Sequence, residues 1–316
     1  MLYLTEQQVL DLFPVDRALD VVTAVLTDAG EDRAPVLPRR RVLAEHAVLA
    51  VMAAAWRPEN GPSLLGAKVY AASAKGAHFH VLLWSGEDGT PLALIEGNYL
   101  GQIRTGAASA VATRAMARPD SRRLLVVGAG YQAQTQAEAI SKVLRLERVD
   151  VYSRTAQRRE EFALRMAPRL GCEVTPVDDV ERAAREADVV VTITPAARPV
   201  LLGGWLRPGT HVNAAGSNRI DHAELDAEAV RRAAVVAVDD VEGAKAESGD
   251  LAAAAAEGWS WERVVPIGDI LQGRVQGRPS DDAITLFESQ GVASEDLAAA
   301  AFIYEQARKR GVGREV

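Results

Sequence analysis

Cysteine is nearly absent from this 316-residue chain. Cys172 is the only one, so no intrachain disulfide can form and the fold must rest on its core. Aromatic residues are few, at 5%. There is no basic excess either: 36 Lys and Arg stand against 43 Asp and Glu, a formal net charge of -7. That balance excludes the electrostatic footprint of a nucleic-acid binder. No run of about 18 apolar residues occurs, because Arg, Asp or Glu interrupts the longest ones, so no membrane span is expected. Residues 1–10 lack the basic start and apolar stretch of a signal peptide, and a cytoplasmic location is the expectation. What remains is 48% hydrophobic and 25% charged, an ordinary composition for a globular enzyme of roughly two domains.

Two textures follow one another along the chain. Thr5 and Gln8 have the spacing of a capping box, and Asp16 is placed to cap a second helix running to Gly30. From about residue 34 to 97 short apolar runs alternate with turn residues. Asp88-Gly89 marks a hairpin, and the segment reads as a mostly antiparallel sheet. A helix over about 99–117 closes this part. From Arg122 onward, strands rich in Val, Ile and Leu alternate with helices, which predicts a doubly wound parallel sheet. A last helix is expected after Ser294, with Glu295 and Asp296 in its first turn and Arg308, Lys309 and Arg310 at its end, matching the helix dipole.

The strongest chemical signal is Gly128-Ala129-Gly130-Tyr131-Gln132-Ala133, a G-x-G-x-x-A between a strand and a helix. Gly128 permits the tight turn, Gly130 lets backbone approach a pyrophosphate, and Ala133 allows close helix packing. The second strand should end in Asp or Glu if the cofactor is NAD. It ends instead in Ser153, Arg154 and Thr155, with Arg158 one turn on, groups that suit a 2′-phosphate. NADP is therefore favoured, with NAD the alternative. His78 and His80 share a strand face without a third ligand, so no metal site is expected.

Several blocks, in this order and spacing, resemble the ornithine cyclodeaminase/mu-crystallin family: Leu37-Pro38-Arg39-Arg40, Gly66-Ala67-Lys68, Ile103-Arg104-Thr105-Gly106, the Gly128-to-Ala133 loop, Asn213-Ala214-Ala215-Gly216, Glu247-Ser248-Gly249-Asp250 and Thr285-Leu286-Phe287. The resemblance implies a homodimer formed through a substrate-binding and dimerisation domain at residues 1–116 plus 287–316. A Rossmann domain at residues 117–286 would bind the cofactor. It also implies that Arg40, Lys68, Arg104 and Thr105 hold a substrate carboxylate, and that Gly216 lies by the cofactor. Arg suits such a group as a bidentate clamp, and Lys adds a point charge and a proton donor.

One departure from the family pattern bears on the reaction. Cyclodeaminases carry a carboxylate shortly after the Asn-Ala-x-Gly turn, and aligning Glu224-Leu225 puts Asn218 there. An amide cannot take up a proton at neutral pH. Asp221 lies three residues on, out of register. The expectation is an NAD(P)H-dependent oxidoreductase reducing small α-imino acids, or α-keto acids plus amine, to amino acids. Lys68, Arg104 and Asn218 would stand at the reacting centre. The alternatives are an ornithine cyclodeaminase giving proline and ammonia, and a small-acid binding protein without turnover.

Overall fold

The computed structural model describes residues 1–316 and separates into two compact units, residues 1–104 with 291–316 and residues 105–290. In chain order the elements begin with β1 (Leu2–Leu4), α1 (Glu6–Leu12), α2 (Val15–Ala29), β2 (Val36–Leu43), β3 (Ala47–Trp56), β4 (Leu64–Ser73), β5 (Gly76–Ser85), β6 (Pro91–Glu96) and α3 (Asn98–Met116). Next come β7 (Arg123–Val127), α4 (Tyr131–Val143), β8 (Arg148–Tyr152), α5 (Ala156–Leu170), β9 (Glu173–Val177), α6 (Val180–Glu186), β10 (Val189–Thr192), β11 (His211–Ala214), α7 (Ala227–Arg232) and β12 (Ala233–Val238). The chain ends with α8 (Val241–Glu247), α9 (Gly249–Ala256), β13 (Val264–Pro266), α10 (Ile267–Leu271), β14 (Ile284–Glu288), α11 (Ala293–Arg310) and β15 (Arg314–Glu315). No helix is long and apolar enough to cross a membrane.

The first unit is a seven-stranded sheet in the order β15-β1-β6-β5-β4-β3-β2, antiparallel except where β1 joins β6. Alternation sets its two faces. On β3, Ala50 and Met52 are buried while Leu49 and Val51 are exposed; on β4, Gly66 and Lys68 are buried and Leu65 is exposed. Helix α11 covers the buried face, with Ala298 packed beside Val25 of α2. The Thr5–Gln8 capping box is present, and Asp88 accepts the Thr90 N–H within the expected hairpin. Two expected caps shift by two residues. Pro14 rather than Asp16 precedes α2, and Val292 rather than Ser294 precedes α11. Asp16 therefore sits in the first turn of α2, and Ser294 is buried in that of α11.

The second unit is an eight-stranded parallel sheet in the order β13-β12-β14-β11-β10-β7-β8-β9. Strands β7 and β10 are buried along nearly their whole length, which explains their runs of Leu and Val. Strand order reverses between β7 and β10, the switch point at which open α/β sheets bind ligands. The units change over at Arg104/Thr105, inside α3, rather than at 116/117. The cause is packing. Thr113 accepts from the Asn213 amide at 2.9 Å, and the Met116 carbonyl accepts from Thr285 at 2.9 Å and Arg278 at 2.8 Å.

Candidate functional site

In the first unit, buried cations and carboxylates converge where β4 and the start of α3 meet the first turn of α11. Lys68 and Arg104 are 4% and 5% exposed. Lys68 Nζ donates to Asp296 Oδ1 at 2.8 Å. Arg104 Nε donates to the same oxygen at 3.1 Å, and its Nη1 reaches Glu295 Oε2 at 2.8 Å. Burial pushes the Lys68 ammonium down to about 8, although Asp296 opposes the shift; Arg104 and Arg39 push the same way as burial. For Arg104 burial works downward too, but Asp296 and Glu295 outweigh it and hold the guanidinium above its usual range. Burial would raise Asp296, yet Arg104 and Lys68 keep its carboxyl below the ordinary value. Lys68, Arg104 and Asp296 are therefore charged near neutral pH.

Arg40 does not join this group. It is exposed, whereas its neighbour Arg39 is half-buried, donates to the Gly291 carbonyl at 3.2 Å, and lies close enough to depress Lys68. A break in register of β2 against β3 between Leu37 and Arg40 is the physical reason. At such a bulge two residues oppose one, and the alternation read from sequence slips by one. Lys68 and Arg104 pair with Glu295 and Asp296, and Arg39 adds its charge beside Lys68. Three cations against two carboxylates leave one positive charge, which suits a monoanionic ligand. Nothing in the sequence pattern marked Glu295 and Asp296 as members, because they read equally well as charges on a helix N-terminus.

In the second unit the Gly128-to-Ala133 loop has the geometry a dinucleotide needs. Gly128 takes φ 123, and a side chain there would meet the Ile193 carbonyl at 2.5 Å. Gly130 opens α4 with nothing in front of the position a Cβ would take, so backbone N–H groups are accessible to a phosphate. Ala133 is fully buried, Gln132 half-buried, and Tyr131 is 55% exposed. At the end of β8, Ser153 is half-buried while Arg154, Thr155 and Arg158 are exposed; Arg159 Nη1 pins the turn through the Ser153 carbonyl at 3.0 Å. Thr105 is half-buried, and its carbonyl accepts from Gln136 at 3.4 Å. The residues present thus fit a nicotinamide dinucleotide.

Behind the switch point stands Glu224, which the sequence marked only as the match that places Asn218. Glu224 is 1% exposed. It accepts from Thr194 N at 2.6 Å, Thr194 Oγ1 at 2.7 Å, Gly216 N at 2.7 Å and Thr192 Oγ1 at 3.1 Å. It thereby ties the segment after β10 to the segment after β11. Its own N–H and that of Leu225 are held by Asp250 Oδ1 at 2.7 and 2.6 Å. Burial pushes the Glu224 carboxyl up to about 7 against the pull of the Thr194 donors, with Asp250 adding to the rise. Asp239, Glu247 and Asp250 are likewise buried.

Asn218 is half-buried in the loop after β11. Asp221 is exposed and paired with Arg219 at 2.6 Å, which holds its carboxyl below the usual range and makes it a poor base. It is in no position to replace a buried acid–base carboxylate.

Comparison with known proteins agrees with this geometry. The model of the ornithine cyclodeaminase/mu-crystallin family matches residues 3–311. Delta(1)-pyrroline-2-carboxylate reductase of Bacillus cereus is 40% identical over 238 residues, 75% of this chain and 73% of that protein. The structure of Thermococcus litoralis Delta(1)-pyrroline-2-carboxylate reductase in complex with NADH and L-proline superposes with TM-score 0.94 at 32% identity, covering both chains fully. An archaeal alanine dehydrogenase dimer with bound NAD gives TM-score 0.93 at 30% identity over 100% of this chain and 98% of that one.

Proposed function

This chain belongs to the ornithine cyclodeaminase/mu-crystallin family, and from that premise we propose how it works as an NAD(P)-dependent imine reductase acting on small α-imino acids. The observation that carries the reading is the buried Lys68–Arg104 pair on its two carboxylates, with Arg39 adding one further positive charge beside Lys68. Arg104 stays charged at any working pH and clamps the substrate carboxylate. Asp296, bonded to both cations through one oxygen, fixes their orientation. Lys68, lowered to about 8, gives its Nζ proton to the substrate nitrogen as that nitrogen becomes an amine. Arg39, not Arg40, adds the third positive charge. Bound NAD(P)H supplies the hydride. Gly128, Gly130 and the N-terminus of α4 would hold its pyrophosphate, and Gly216, fastened by Glu224, shapes the adjoining loop. Ring closure with ammonia loss needs a group that gives and takes a proton, and Asn218 cannot do so.

NADPH is the preferred cofactor in this reading, supported by Arg154 and Arg158 and by the lack of a carboxylate at the end of β8. The test is one assay matrix: NADPH and NADH against a panel of α-keto acids with ammonia or methylamine, and ornithine with catalytic NAD. Imine-dependent NADPH oxidation without proline formation is expected. Proline formation without NADPH oxidation would favour the cyclodeaminase, and no turnover with any substrate would favour a binding protein. Within the same matrix, Arg154→Asp should shift preference toward NADH by about ten- to a hundredfold, the worth of one charge-assisted contact. A wild type that already uses both cofactors equally would count against Arg154.

A homodimer completes the proposal. The face of the first sheet turned away from α11 exposes Leu37 (67%), Leu49 (43%) and Leu65 (42%), and Leu37 and Leu65 border an apolar hollow of about 560 Å³ lined also by Ala53, Ala67 and Trp84. Such a face is costly in water. Sedimentation at micromolar concentration should give twice the 33.8 kDa chain mass, and a 33.8 kDa species would rule the dimer out.

A further inference from the structure

Glu288 ends β14 in the interior of the parallel sheet, and the proposed mechanism gives it no task. It is buried and stands level with Ala214 on β11 and Val238 on β12. Ala214 leads directly into the loop that carries Gly216. Glu288 Oε1 accepts from Ser248 Oγ and from Gln290 Nε2, each at 3.1 Å. Its Oε2 is buried and meets no donor. The neighbour that remains is the buried carboxyl of Asp250, the second residue of α9, which lies within hydrogen-bonding reach. Asp250 spends its Oδ1 on the N–H groups of Glu224 and Leu225. The charges that act on Glu288 are acidic, Asp250 on α9 and Glu224 ahead of α7, and no Lys or Arg pairs with any of the three. Two more buried acids lie close along the chain: Asp239, which accepts from Ser289 Oγ at 3.1 Å, and Glu247, next to Ser248.

Two carboxyl groups cannot hydrogen-bond to each other unless one keeps its proton, and a buried pair with no cation between them keeps one. Burial and the Asp250 charge push the Glu288 carboxyl well up. Burial raises Asp250 too, but the Leu225 and Glu224 N–H groups and Glu288 pull against it. The proton therefore sits on Glu288, which donates to Asp250. A chain of contacts runs on from there: Asp250 holds the backbone of Glu224 and Leu225, and the Glu224 carboxyl holds Thr194 and Gly216. We propose that Glu288 is a positioning residue that works as a carboxylic acid, and that the proton it shares with Asp250 latches the Glu224 clamp on the cofactor-side loops. When that proton is lost to solvent, two negative charges face each other with no cation between them. The pair is forced apart, the start of α9 shifts, and the clamp loosens. The assignment rests on the reading that the Gly216 loop borders the bound NAD(P)H.

The experiment titrates NADPH by its fluorescence from neutral to alkaline pH into the wild type, Glu288→Gln and Glu288→Ala, and records infrared difference spectra of the same proteins. Glu288→Gln keeps an oxygen for Ser248 and Gln290 and offers Asp250 an N–H in place of the O–H, but it has no proton to lose. At pH 7 it should bind NADPH within about threefold of the wild type. As the pH rises, the wild-type Kd should increase about tenfold more than that of Glu288→Gln. Glu288→Ala, which has no donor, should bind about tenfold more weakly already at pH 7. The wild-type spectrum at pH 7 should contain a protonated-carboxyl C=O band that Glu288→Gln lacks. Should Glu288→Ala not fold, Glu288→Gln and the spectrum decide the matter. Parallel pH profiles for the wild type and Glu288→Gln, or the absence of that band, would overturn the latch while leaving the cofactor site standing. So would a Glu288→Gln variant that binds as weakly as Glu288→Ala at pH 7. A wild type that binds neither NADPH nor NADH would overturn both.

Discussion

Replacing Arg104 with Met is expected to lower kcat/KM for α-imino acid reduction by about 30- to 4,000-fold. Removing one partner of a buried, hydrogen-bonded charge pair costs about 2–5 kcal/mol, and every 1.4 kcal/mol is tenfold. The effect is large because Arg104 is buried and its Nε and Nη1 already engage Asp296 and Glu295. Without it the cradle holds two cations against two carboxylates and loses its attraction for an anion. Lys68→Met should be at least as damaging, since it also removes the proton donor. In both variants NADPH binding should persist, because the cofactor loop belongs to the other unit; loss of binding would indicate misfolding instead. The pH profile separates the two cations. Lys68 has been lowered to about 8, so it is mostly protonated at pH 7 and loses its proton as the pH rises through 8. Wild-type kcat/KM should fall above that point. Lys68→Arg keeps the charge with a guanidinium that does not titrate there, so the fall near pH 8 should vanish. A profile unchanged by Lys68→Arg would remove Lys68 from the proton transfer.

Which parts of this arrangement were legible in the sequence follows from how far each signal reaches. The parallel sheet was legible because β7 and β10 are buried on both faces and must be written in uninterrupted apolar residues. The turn at Gly128 was legible because only glycine tolerates its backbone. Arg39 was not separable from Arg40, since a bulge is a property of the pairing between β2 and β3 and leaves no mark in β2 alone. Asp296 lies 228 residues from Lys68 and 192 from Arg104, and local charge patterning had already accounted for it. The place of α3 was hidden for a related reason. A helix sequence shows which positions are apolar, but not that those after Arg104 pack with the second unit.

Glu224→Ala is expected to lower the melting temperature by about 5–20 °C and to raise the KM for NADPH about tenfold, with KM for the imine little changed. The deletion strands the N–H groups of Thr194 and Gly216 in a site that is 1% exposed. Each unsatisfied group costs about 1–3 kcal/mol. The loop after β11 then loses its tie to the segment after β10, and Gly216 no longer has a fixed position. Glu224→Gln keeps the volume but turns an amide N–H₂ toward donors, so it should recover only part of the loss. The pH dependence gives an independent readout. The folded-state pKa of Glu224 is raised from 4.5 to about 7, so between these values the folded protein binds more protons than the unfolded chain. Its contribution to stability is therefore complete below pH 4.5 and is lost as the pH rises through 7, about 3 kcal/mol in all. Glu288 and Asp250 are shifted upward by burial as well, and act in the same direction. His211, lowered to about 3 by burial, acts the other way below pH 6.5, so the readout is the difference between proteins: relative to Glu224→Gln, the wild type should lose stability between pH 5 and pH 8. If Glu224→Gln leaves both the slope and the cofactor KM at their wild-type values, the carboxylate is not what fastens the two loops.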